Sequence, residues 1–99
     1  MIRADVIYLI HTETHGVFDA PTEKKKRVYC EVKSVGMNEF YRALEHGIEP
    51  TYVFTLADYA DYDGEKLVEY HGTRYRVVRV YFDDHSVELT VEEETHHVN

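Results

Sequence analysis

A chain of 99 residues that is 43% hydrophobic and 13% aromatic has the length of one domain and lies far from the composition of a disordered segment. Its formal net charge of −8 weighs against a general nucleic-acid binder, in which Lys and Arg drive phosphate contact, and its single cysteine, Cys30, excludes a disulfide within the chain. No run approaches the ~18 apolar residues of a membrane-spanning helix, and Met1-Ile2-Arg3-Ala4-Asp5 lacks the positive start of a signal peptide, so a protein made and used in a cytoplasm is expected.

Ala4 to Thr12 reads as a first strand, and its continuous run Val6-Ile7-Tyr8-Leu9-Ile10 suggests cover on both faces. His15-Gly16 marks a turn, and Asp19-Ala20-Pro21-Thr22 a loop. Lys24 to Arg27 is a basic run at the mouth of the next strand. Arg27 to Val35 alternates, with Val28, Cys30 and Val32 on one face and Tyr29, Glu31 and Lys33 on the other. The period then changes. Met37, Phe40, Tyr41 and Leu44 fall on one face of a helix about three turns long. Gly47 is placed as its C′ residue and Pro50 follows, so the helix ends near His46. A helix this short needs a surface to pack on.

Thr51 to Ala57 is a strand with Tyr52, Phe54 and Leu56 on one face. Asp58 to Gly64 is an acidic turn region. Lys66 to Tyr70 and Thr73 to Phe82 are strands joined by His71-Gly72, a hairpin signal. Asp83-Asp84-His85 is a turn, Ser86 to Val91 the last strand, and Glu92 to Asn99 a polar, frayed tail. About six strands with one short helix inserted near residues 37–46, without an internal repeat or a linker, favour a mainly β, small single-domain barrel over residues 1–99. Nine tyrosines and no tryptophan suit half-buried strands and protein interfaces alike.

Candidate chemistry is sparse. His11 and His15 have the spacing of a zinc-protease pair, but Glu13 is out of register for the base. On a strand, positions i and i+4 stand ~13 Å apart, too far to share a metal. Asp58, Asp61, Asp63 and Glu65 around Gly64 are acidic enough for calcium. With Gly64 at position six of a calcium loop, however, positions one and twelve are Tyr59 and Tyr70, neither a carboxylate. Cys30 shares its face with Val28 and Val32, the setting of an inert small hydrophobe. No glycine-rich phosphate loop is present. The Lys24–Arg27 run has two readings, a contact to a nucleic-acid backbone or a solvated guard against edge pairing. No metal, cofactor or catalytic residue is expected.

Three segments carry a family resemblance. The first runs from Val32 to Ala43 and contains Glu39-Phe40-Tyr41-Arg42-Ala43. The second is Gly47-Ile48-Glu49-Pro50, leading into Thr51-Tyr52-Val53-Phe54. The third runs from Tyr62 to Val77 and contains Gly64-Glu65-Lys66-Leu67-Val68-Glu69-Tyr70-His71-Gly72-Thr73-Arg74-Tyr75. In this order and spacing, with the opening Arg3-Ala4-Asp5-Val6-Ile7, the chain resembles the head-closure proteins of long-tailed bacteriophages, also called head–tail adaptor, head–tail joining or stopper proteins. The resemblance spans nearly the whole chain; only the tail from Glu92 to Asn99 matches nothing in it. It implies a small β-barrel without catalysis, made in the bacterial host cytoplasm and placed in the virion neck. There it forms a ring of copies below the portal and adaptor and above the tail completion or terminator protein. The ring closes the channel against packaged DNA and gives the tail its docking surface. The resemblance makes Met37, Asn38, Glu39, Phe40, Tyr41 and Leu44 the candidate channel-closing or interface segment. Rings use heterologous contacts between two different faces of each subunit, and such a subunit can stay monomeric until a template orders it. The alternative reading is a small β-barrel nucleic-acid-binding module, which stacks bases on aromatic side chains in a basic groove; the tyrosines fit it and the net charge does not.

Overall fold

The computed structural model describes residues 3–14, 16–18 and 20–94. Its elements are β1 (Arg3–Glu13), β2 (Thr22–Ser34), α1 (Met37–Leu44), β3 (Pro50–Leu56), a 3₁₀ turn (Tyr59–Asp61), β4 (Leu67–Tyr70), β5 (Thr73–Phe82) and β6 (Val87–Glu93). The strands close into a six-stranded barrel in the order β1-β2-β3-β6-β5-β4, with every neighbouring pair antiparallel. The fold is therefore the mainly β barrel with one short helix that the alternation of periods predicts. The β1–β2 wall stands across the barrel from the β6–β5 wall.

Period-2 alternation fills the interior. Ile7 and Leu9 of β1, Val28, Cys30 and Val32 of β2, Phe54 and Leu56 of β3, and Val87, Leu89 and Val91 of β6 form one buried cluster with Val68, Tyr70 and Tyr75. Rings dominate one end of it. Tyr52, Phe54, Tyr70 and Tyr75 meet at centroid separations of 5.2–6.5 Å, mostly edge to face, the arrangement favoured by the ring quadrupole. The β4–β5 hairpin turns on His71 and Gly72, both at positive φ (50° and 79°), as a two-residue primed turn requires. One extra residue, Val78, sits where the β5–β6 register shifts between Val77 and Arg79. This bulge turns Arg79 out opposite Thr90 while Val80 stays in register with the core residue Leu89.

Four expectations need correction. The second strand starts at Thr22 rather than Arg27, so the basic run lies inside β2. Its register against Leu9, Ile10 and His11 extends the ladder through it. The first strand is not covered on both faces: Tyr8 is exposed, although its outward neighbour Ile10 is buried. Lys25 stands opposite Ile10 on β2, Glu69 stands opposite Tyr8 on β4, and their charged groups meet over the outside of β1 at 2.9 Å. The helix has eight residues, nearer two turns than three. Gly47 (φ 76°) still closes it as expected, with its N–H donating to the Leu44 carbonyl and that of Ile48 to Ala43, both at 3.0 Å. Glu92 and Glu93 are strand rather than tail. Glu92 is buried, pairs with Arg76 and accepts a hydrogen bond from the Glu49 N–H at 3.1 Å. The turn at His15, the loop opening at Asp19 and the tail at 95–99 lie outside the described residues.

Candidate assembly surface

The connection between β2 and β3 carries the apolar stripe Met37, Phe40, Tyr41 and Leu44, and no residue of α1 is buried. Met37 is 68% exposed and Tyr41 58%; Phe40 is half-buried and meets the Tyr41 ring edge to face at 6.0 Å. Asn38 and Glu39 occupy the first turn. The stripe is present as the sequence predicts, but none of it joins the buried cluster of the barrel interior.

Between α1 and the outside of the β3–β6–β5 wall lies a groove of about 730 Å³. Ala43, Ile48, Pro50, Val78 and Tyr81 give it apolar surface, while Glu39, Arg42, Arg79 and Glu88 supply charge. Arg79 and Glu39 approach to 3.8 Å, a loose tether from the wall to the helix. Beside the groove, Val53 and Thr90 face each other on β3 and β6. They lie outside the interior cluster and are nevertheless buried, and Thr90 lines the groove beside α1. Pattern reasoning missed Val78, Arg79 and Tyr81 as groove residues. The bulge at Val78 brings them to the outer wall, and the consecutive apolar run Val77-Val78 was its only trace in the sequence.

Two further apolar groups reach solvent. Val17 and Phe18, between β1 and β2, are 94% and 99% exposed. At the end of β5, Phe82 and the 3₁₀-turn residue Tyr59 meet edge to face at 6.5 Å with about half of each exposed.

The remaining candidates are structural. Lys24 pairs with Glu13 at 3.3 Å, Lys25 with Glu69 at 2.9 Å, and Lys26 with Asp63 at 3.3 Å and the buried Glu65 at 3.7 Å. Arg27 lies over the Tyr29 ring, 5.3 Å from its centroid. The basic run is thus matched by carboxylates of β1, β4 and the acidic loop. That loop is held by its own bonds: the Asp58 carboxylate accepts from the Ala60 N–H and the Glu65 carboxylate from the Asp63 N–H. Among the described residues, no group of three or more His, Cys, Asp or Glu side chains could hold a metal ion. Cys30 is buried; burial, with the Asp5 charge beside it, pushes its thiol up to about 12.

A polar cluster closes the ring-lined end of the barrel. Arg3 donates to the Tyr70 hydroxyl at 2.7 Å, that hydroxyl donates to Asp5 at 3.1 Å, and the His71 ring reaches the same Asp5 oxygen at 3.0 Å. The Val6 N–H, with Tyr70 and His71, holds the Asp5 carboxyl below the usual range, and burial raises the Tyr70 phenol. Each group has a partner, so the cluster fastens β1 to the β4–β5 hairpin.

No family model matches the chain, and no curated protein matches it in sequence.

Proposed function

We propose that this chain is a structural subunit of the phage or prophage head–tail connector. Copies form a ring below the portal and adaptor, close the DNA channel, and present the surface on which the tail docks. The observation that carries this reading is the division of labour in the fold. A filled barrel supplies a rigid frame, and the β2–β3 connection holds out an apolar stripe, Met37, Phe40, Tyr41 and Leu44, that the frame does not bury. Apolar groups left on a monomer's surface mark interaction sites. This segment joins the barrel through Gly36 and Gly47, residues whose backbone is less restricted than that of any other type. The three segments that resemble head-closure proteins support the same reading. The nucleic-acid alternative loses support, since Lys24, Lys25 and Lys26 are each paired with a carboxylate.

The test is a pull-down of the chain from a phage-producing lysate followed by imaging of purified necks. Recovery with portal and tail completion proteins, and a ring in the neck, are expected; a chain found apart from the neck overturns the reading. A folded Phe40→Ala/Tyr41→Ala variant that yields DNA-leaking heads assigns the stripe to gating, whereas loss of fold assigns it to the core.

A further inference from the structure

We infer that the tip of the β1–β2 hairpin of one copy inserts Phe18 into the groove beneath α1 of the next copy, so that the contact between subunits also seats the helix. This deepens the ring reading and rests on it. The knob and the hole are both on the chain. Phe18 and Val17 are almost wholly exposed, while the groove offers Ala43, Ile48, Val78 and Tyr81 as apolar surface with Arg42 and Arg79 able to lie against a ring face. They cannot meet within one molecule: the hairpin belongs to the β1–β2 wall and the groove to the opposite β6–β5 wall. Two different faces on opposite sides of a subunit give a heterologous contact, which repeats into a ring when the rotation closes.

Charge permits it. Two acids of the hairpin end are matched, Glu13 by Lys24 and Glu23 by Arg74, and Asp19, next to Phe18 in the sequence, brings one further acid toward a groove that carries Arg42 and Arg79. Area sets its strength. A buried Phe covers about 150–250 Å², well below the roughly 800 Å² per partner of a standard interface. One knob in one groove is therefore weak alone and persists only when repeated around a closed set, as a subunit that stays free until templated requires.

Disulfide trapping of the full chain tests this, since the buried Cys30 leaves engineered thiols as the reactive ones. Val17→Cys, which keeps Phe18, mixed with Ala43→Cys should give a cross-linked dimer under mild oxidation, and neither variant alone should do so to a comparable extent. Added salt should raise the yield, because screening weakens repulsion between acidic copies while the apolar contact survives. Equal cross-linking within a single variant indicates an isologous contact and overturns the proposal. So does the absence of a mixed product. If necks still contain rings of the chain in that case, the ring reading stands without this contact. If the mixed product forms but necks lack the chain, the contact stands and the ring reading fails. A Phe18→Ser variant, altered at a fully exposed site, should keep the melting temperature and lose the assembly-linked protection of α1 amides in hydrogen exchange; unchanged protection overturns the proposal.

Discussion

The barrel interior and the α1 connection are made of the same kinds of residue and use them oppositely. Phe54, Leu56 and Leu89 are fully buried, whereas Met37, Tyr41 and Leu44 stand on the surface. The difference is geometric. A strand residue facing inward gains neighbours from every wall of a closed barrel, while a helix hung outside that barrel by two loops gains them only from what covers it. Apolar character therefore stabilises this fold in the first region and remains available for contact in the second.

Substitutions should separate the two regions by size of effect. Phe54→Ala, in the middle of the ring cluster, should cost about 3–5 kcal/mol. That is a large part of the ~5–15 kcal/mol expected of a small domain, and a urea titration would read it. A loss under about 1 kcal/mol would mean that the lumen is loosely packed and the contrast false. Cys30→Ser should cost roughly 1–3 kcal/mol for a hydroxyl among Val28 and Val32, while Cys30→Ala should leave assembly intact. In the native protein the thiol should resist a thiol reagent at pH 8 and react once denaturant is added. Rapid modification of folded protein would contradict its burial.

Glu92 gives the acid limb of stability. Burial alone would raise its pKa, but the bonds from Arg76 and the Glu49 N–H outweigh it and the carboxyl titrates below its ordinary value. A depressed folded pKa means that the contribution is present above the unfolded value near ~4.5 and fades as pH falls through the folded one. Glu92→Gln should lower stability at pH 7 by about 1 kcal/mol, discounted because Arg76 is mostly solvated. It should also flatten the decline of the urea midpoint between pH 6 and pH 3; an unchanged slope would remove Glu92 from the account. The helix face should respond least. Met37→Ser with Tyr41→Ser should change stability by no more than about 0.5 kcal/mol and still abolish assembly. A fall of several degrees in melting temperature would show that the stripe belongs to the core. Dialysis against a chelator should leave the melting temperature unmoved, since no described ligand set closes around an ion.

Local pattern was enough for much of this. The alternation of Val28, Cys30 and Val32 fixed an inward face for β2. The helical spacing of Met37, Phe40, Tyr41 and Leu44, stopped by Gly47, fixed a helix between two strands. His71-Gly72 fixed a hairpin, because few dipeptides accept positive φ at both positions. Each of these depends on a residue and neighbours a few positions away, which a sequence displays directly. What it does not display is who stands opposite whom. Only closure of the barrel set Lys24, Lys25 and Lys26 against carboxylates distant in sequence and drew Glu92 from an expected tail into a buried position, paired with the solvated Arg76. Only the bulge at Val78 turned Arg79 and Tyr81 toward the helix to make the groove. Whether the helix stripe would be core or surface also lay beyond pattern, since amphipathicity says that a face seeks cover and not whether the rest of the chain has any to give. The closed barrel decided that, building its buried cluster from strand residues alone and leaving the stripe and Phe18 on the outside of the same molecule.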